Sequence, residues 1–155
     1  MVRRRWPCGV SPSVEYARLR EVVSALPDLD VLAMRRDPRS GEVLGRFLPH
    51  DYVATGRRRI EISRRWCRTR GTVLAILVHE AAHALGDARR APRRLRFRWW
   101  MGEDHGGRFR AALLLVARRG YGFVPPPGTG LEEVERLLKA HCQRWAEDRK
   151  RCAVS

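Results

Sequence analysis

The chain has 155 residues and a formal net charge of +15, from 32 lysines and arginines against 17 aspartates and glutamates. A length of this order fits one domain with a real core, and a 44% hydrophobic fraction excludes wholesale disorder. The longest apolar runs, 73–78 and 111–117, hold six and seven residues, where a membrane-spanning helix needs about 20, so no span is expected.

Ser11-Pro12 suits a helix start, because Ser can cap and Pro fits the first turn. Tyr16, Leu19, Val22, Val23 and Leu26 then recur at helical spacing up to Pro27. Val31 to Arg35 reads as a strand, Asp37-Pro38-Arg39-Ser40-Gly41 as a turn, and Val43 to Leu48 as the second strand of a hairpin. Residues 57–63 alternate polar and apolar, which predicts a half-buried or edge strand. Thr72 to Leu85 is the most apolar helix, with Gly86 as its stop. An arginine-rich connection with Pro92 and Trp99-Trp100 follows. A helix is then expected from Gly107 to Arg119, ended by Gly120. Past Pro125-Pro126-Pro127-Gly128, an amphipathic helix is expected from Leu131 to about Arg149, with the last residues frayed. The order predicts an α+β domain with a small antiparallel sheet: an arm over 1–12, a main body over 13–123, and a Pro-rich break with a packing helix over 124–155.

None of the four cysteines forms a Cys-x-x-Cys pair, which argues against a zinc ribbon. Cys142 and Cys152 sit near a predicted helix end, where a disulfide is conceivable. Arg3 to Arg5 run into Trp6-Pro7-Cys8-Gly9 and not into an apolar stretch, so no secretory signal is read there. A cytoplasmic location with reduced thiols is the expectation.

The chemistry concentrates in His79-Glu80-Ala81-Ala82-His83. Positions i and i+4 share a helix face, so both imidazoles can bind one zinc ion from the same side. Glu80, beside the first histidine, can act as general base on zinc-bound water. The helix around them is apolar, and three ionisable groups there are costly unless a metal or hydrogen bonds compensate. A catalytic zinc needs a third protein ligand. The spacing that would extend the motif to a further histidine places Arg89 at the ligand position, and arginine does not bind zinc. Glu103, Asp104 and His105 are the remaining candidates. His105 is preferred because it precedes Gly106-Gly107-Arg108-Phe109 at a helix start, leaving Asp104 as a cap or a carboxylate that orients an imidazole.

Residues 73–85 (VLAILVHEAAHAL), followed by His105-Gly106-Gly107-Arg108-Phe109, resemble the SprT-like metallopeptidases, the family that includes the Spartan proteases. The resemblance spans residues 13–123. It implies a zincin-like domain with His79, His83 and His105 as zinc ligands and Glu80 as catalytic base, hydrolysing peptide bonds in a protein or peptide substrate. The segment between His83 and His105 is longer and richer in arginine than in compact members, and the zinc ribbon of some members has no counterpart here.

Residues 57–98 hold thirteen arginines and three carboxylates, a net +10. Such a charge favours polyanionic partners, so DNA contact through segments 57–70 and 89–98 is expected, with these arginines rimming the active site. Two other readings stay open: a non-catalytic nucleic-acid-binding protein with a structural or vestigial metal, and a regulatory peptidase using Glu103 as ligand. The strand at 58–63 is the expected seat for an extended substrate. His50, Tyr52 and the arginines of 89–98 are candidates for stabilising an oxyanion. His50 and His141 otherwise read as ordinary histidines. Trp99-Trp100 reads as loop packing, with base stacking as the alternative.

Overall fold

The structure, a computed structural model, describes residues 5–41, 43–49, 56–88 and 105–154. It is α+β, with helices α1 (Pro12–Val22), α2 (Arg70–Ala88), α3 (Gly107–Tyr121) and α4 (Leu131–Val154) and strands β1 (Asp30–Ala33), β2 (Gly45–Leu48) and β3 (Arg59–Ile62). Among the described residues no helix is long and apolar enough to cross a membrane.

The sheet departs from the expected hairpin. Its order is β1-β3-β2, so the strand read as half-buried or edge lies in the middle, and the two strands read as a hairpin do not pair with each other. β1 runs parallel to β3 with Asp30 opposite Arg59, and β2 runs antiparallel to it with Gly45 opposite Ile62. The sheet is therefore mixed. Burial explains the order. Ile60 and Ile62 are fully buried, and a strand sunk that deeply needs partners for its backbone groups on both sides. The charged residues of β3 are covered as well. Glu61 is only 6% exposed and takes Arg46 at 2.6 Å and Arg59 at 3.4 Å.

α2 is the central element. It packs against α1, α3, α4 and the sheet, burying Val73, Leu74, Leu77, Val78, Ala81, Ala82, Ala84 and Leu85. α4 lies along it, with Val134, Leu138 and Cys142 in the core. The crossing is close at Gly71, where an added Cβ would sit 2.5 Å from the Lys139 carbonyl oxygen. Gly71 N–H donates to the Gln143 side chain at 2.7 Å.

Two expected helix stops do not act as stops. Gly86 continues in helical conformation, and the turn beyond it is fixed by Arg58, whose Nε donates to buried Asp87 at 2.9 Å. Gly120 is also helical. Its role is space, since a Cβ there would lie 2.4 Å from Leu19 Cδ2. The stop is Gly122, left-handed at φ 66°, whose N–H donates to the Arg118 carbonyl. α1 closes earlier than Pro27, with Val23 as its cap. α4 runs on past Arg149 to Val154. Cys142 and Cys152 both lie in α4, ten residues or about 15 Å apart along the axis, so a bridge between them is excluded. Burial pushes the thiols of Cys67 and Cys142 up to about 12.

Candidate metal centre

Helical periodicity places His79 and His83 on one face of α2, toward the start of α3. His105 immediately precedes Gly106, the extended N-cap residue of α3. The three imidazoles converge. His83 Nε2 lies 3.2 Å from His79 Nε2 and 3.3 Å from His105 Nε2. One ligand atom from each residue falls within 4.8 Å of the others. Two nitrogens bound tetrahedrally to one zinc ion, each at about 2.0–2.1 Å, stand about 3.3 Å apart, so this spacing fits the donor set of a zinc site.

Two further residues build the support: Glu135, which the sequence did not single out, and Phe109, which it placed at the helix start after His105 without a role at the site. The first is Glu135 of α4, whose carboxylate is hydrogen-bonded to His79 Nδ1. That bond holds the Glu135 carboxyl below the usual carboxylate range, against an opposing push from partial burial. An ionised carboxylate only accepts, so His79 Nδ1 donates to it, and in a neutral ring this leaves Nε2, the nitrogen toward the other two rings, as the acceptor. Asp104, the carboxylate expected to orient an imidazole, lies outside the described residues. The second is Phe109, one turn into α3 and 6% exposed. Its ring centroid is 4.9 Å from that of His79, 4.5 Å from His83 and 4.6 Å from His105. A single aromatic ring thus backs all three imidazoles.

Glu80 is 5% exposed and packs toward β2. A Cβ on Gly45 would lie 3.2 Å from Glu80 Oε1 and 2.5 Å from Ile76 Cγ2. Glycine at that position lets the strand approach the glutamate. Glu80, His83 and Phe109 line a cleft of about 1240 Å³, walled on one side by Gly45 to Leu48 and on another by α3 and Pro125 to Gly128. The outer edge of β2 is unpaired by sheet strands among the described residues. β3 is paired on both sides, so the edge expected to seat a substrate on 58–63 is closed.

Glu103, His50, Tyr52, Trp99, Trp100 and the arginines of 89–98 lie outside the described residues. His141 is structural: its Nε2 meets the Tyr121 carbonyl at 2.6 Å and its ring packs on Phe123. Compared with family models, curated proteins and solved structures, the chain matches none.

The Glu135 contact carries a direct expectation. Glu135→Ala lowers zinc affinity about 10–100-fold, measured by competition with a chromogenic chelator, while Glu132→Ala, one turn earlier on α4, leaves it unchanged. Equal affinities in the two variants would remove the orienting role.

Proposed function

We propose that the protein is a zinc-dependent metallopeptidase of SprT-like, zincin type. The observation that carries this reading is the convergence of His79, His83 and His105 beside a buried glutamate, with His83 and that glutamate lining a cleft walled by β2, whose outer edge pairs with no other described strand. A zinc ion held by the three histidines supplies Lewis acidity, lowering the pKa of water toward neutrality and polarising a carbonyl. Everything else is done by the chain. An extended peptide adds to the edge of β2 by backbone hydrogen bonds, which read no particular side chain. This sets a peptide carbonyl over the histidine triad. Glu80 takes a proton from the attacking water as the new C–O bond forms, and returns it to the amine as the C–N bond breaks. Its burial beside Gly45 keeps the carboxylate in one position for both transfers.

A purely structural metal would call for four protein ligands and no acid beside them. The buried Glu80 favours the catalytic reading over that of a non-catalytic binding protein. The charge of +15 favours proteins held on polyanions as substrates.

Metal removal tests the reading. Dialysis of the purified protein against a strong chelator is expected to abolish cleavage of casein or of the chain itself, and one added equivalent of zinc to restore it. Cleavage that survives with zinc absent by elemental analysis would overturn the proposal.

A further inference from the structure

The arginines of 57–70 divide into two groups with opposite fates. Arg57 pairs with Asp28 and Asp30 at 3.2 and 3.4 Å. Arg58 pairs with Asp87, and Arg59 shares Glu61 with Arg46. That half of the segment is balanced by the chain's own carboxylates and offers little net positive charge to a rim. The other half is not.

Three segments, 5–10, 34–41 and 63–70, are stitched into one surface. Ser63 Oγ donates to Asp37 at 2.6 Å, and Trp66 Nε1 donates to the Pro38 carbonyl at 2.8 Å. Arg64 donates to the Arg5 carbonyl, and Arg70 Nε to that of Cys8 at 3.0 Å. Together these segments contain eight arginines and one carboxylate, Asp37, which already accepts from Ser63 and from the Arg65 backbone. Arg35, Arg36, Arg39, Arg65 and Arg68 are exposed. Among the described residues, neither these five nor Arg64 forms a salt bridge, in contrast to Arg57, Arg58 and Arg59.

Two of the guanidinium groups are set in place by aromatic rings. Arg64 lies 5.5 Å from the centroid of Trp6, and Arg65 lies 5.1 Å from that of Trp66. Both are within the range of cation–π attraction. A stacked guanidinium is held by its face, which leaves in-plane N–H groups for planar, bidentate bonds to phosphate oxygens. Trp66 is not offered as a wedge for a bilayer or a base stack, because its N–H is bonded inward and its ring lies against Gly41. The features left for a partner are charge and guanidinium donors.

We propose that this surface grips the phosphate backbone of nucleic acid without reading its sequence. It lies at the N-terminal end of α2. Arg70 is nine residues before His79, about 14 Å along the axis. The surface is therefore separate from the histidine triad and does not rest on the metallopeptidase reading.

The test is fluorescence anisotropy of a labelled 20-base-pair DNA duplex titrated with the full chain, from 50 to 200 mM salt. Wild type is expected to bind with a steep negative slope of log K against log salt. Arg64→Gln/Arg65→Gln/Arg68→Gln should reduce the magnitude of that slope by about 2 to 3, since each phosphate that is no longer neutralised removes about 0.9. Arg35→Gln/Arg36→Gln/Arg39→Gln should do the same. Those three side chains make no hydrogen bond to another described residue, so this variant covers the case in which the first misfolds. Arg144→Gln/Arg151→Gln on α4 should leave the slope within about 1 of wild type after allowing for diffuse charge. Wild-type slopes in both folded triple variants would overturn the proposal. So would an equal reduction in the α4 variant, or wild-type binding with no salt dependence.

Discussion

Glu80→Gln is expected to keep stoichiometric zinc while lowering peptide cleavage by about 10²–10⁴-fold, the usual contribution of a positioned general base. The side chain is 5% exposed and packed against Gly45 and its own helix. An amide of the same shape fills that space without disturbing α2. It cannot take a proton from water near neutral pH, and it cannot return one to the leaving amine. The zinc donors proposed here are imidazole nitrogens of other residues, so metal content should not move. The measurement pairs elemental zinc analysis with turnover of a quenched fluorescent peptide. Undiminished turnover in a preparation free of contaminating protease would remove Glu80 from the mechanism. Loss of zinc together with activity would make it part of the binding set instead.

The parts of this molecule that were legible in the sequence are those governed by local periodicity. α2 announces itself through an uninterrupted apolar face, and its two histidines through i, i+4 spacing. His105 could be chosen because glycines and a helix start follow it directly. The sheet order was not legible. Strands of four residues carry little pattern, and the turn at 37–41 suggested a local hairpin that the buried Ile60 and Ile62 override by taking the central place. The polar alternation of β3 pointed to a solvated face. What makes it compatible with burial is the pairing of Glu61 with Arg46 across the register, a contact between residues fifteen apart. Glu135 was illegible for a similar reason. It stands among Glu132 and Glu133 in the first turns of an amphipathic helix, and only the docking of α4 on α2 decides which glutamate meets His79. The arginine count showed how much charge there is. It could not show that Arg57, Arg58 and Arg59 are paired with carboxylates of the fold while Arg64, Arg65 and Arg68 form no salt bridge among the described residues.

His105→Ala is expected to abolish stoichiometric zinc binding and the stabilisation that comes with it. A ligand that binds only the folded chain, present at about 1,000 times its dissociation constant, stabilises by about 4 kcal/mol. For a domain of this size that corresponds to a rise in Tm of about 10 °C. Wild type should show such a rise when zinc is added to metal-free protein, and His105→Ala should show almost none. The reason is geometric. His79 and His83 alone hold two donors on one helix, and the third donor comes from the start of α3, 3.3 Å from His83 Nε2. Without it, α2 and α3 are no longer joined by the ion, and two donors bind zinc weakly. The same substitution leaves Phe109 in place beneath the remaining rings, so the metal-free proteins should melt at similar temperatures. That similarity separates a missing ligand from a damaged fold. Glu103→Ala is the companion measurement. A zinc-induced rise that persists in Glu103→Ala and vanishes in His105→Ala assigns the third donor to the histidine, and the reverse pattern assigns it to the glutamate.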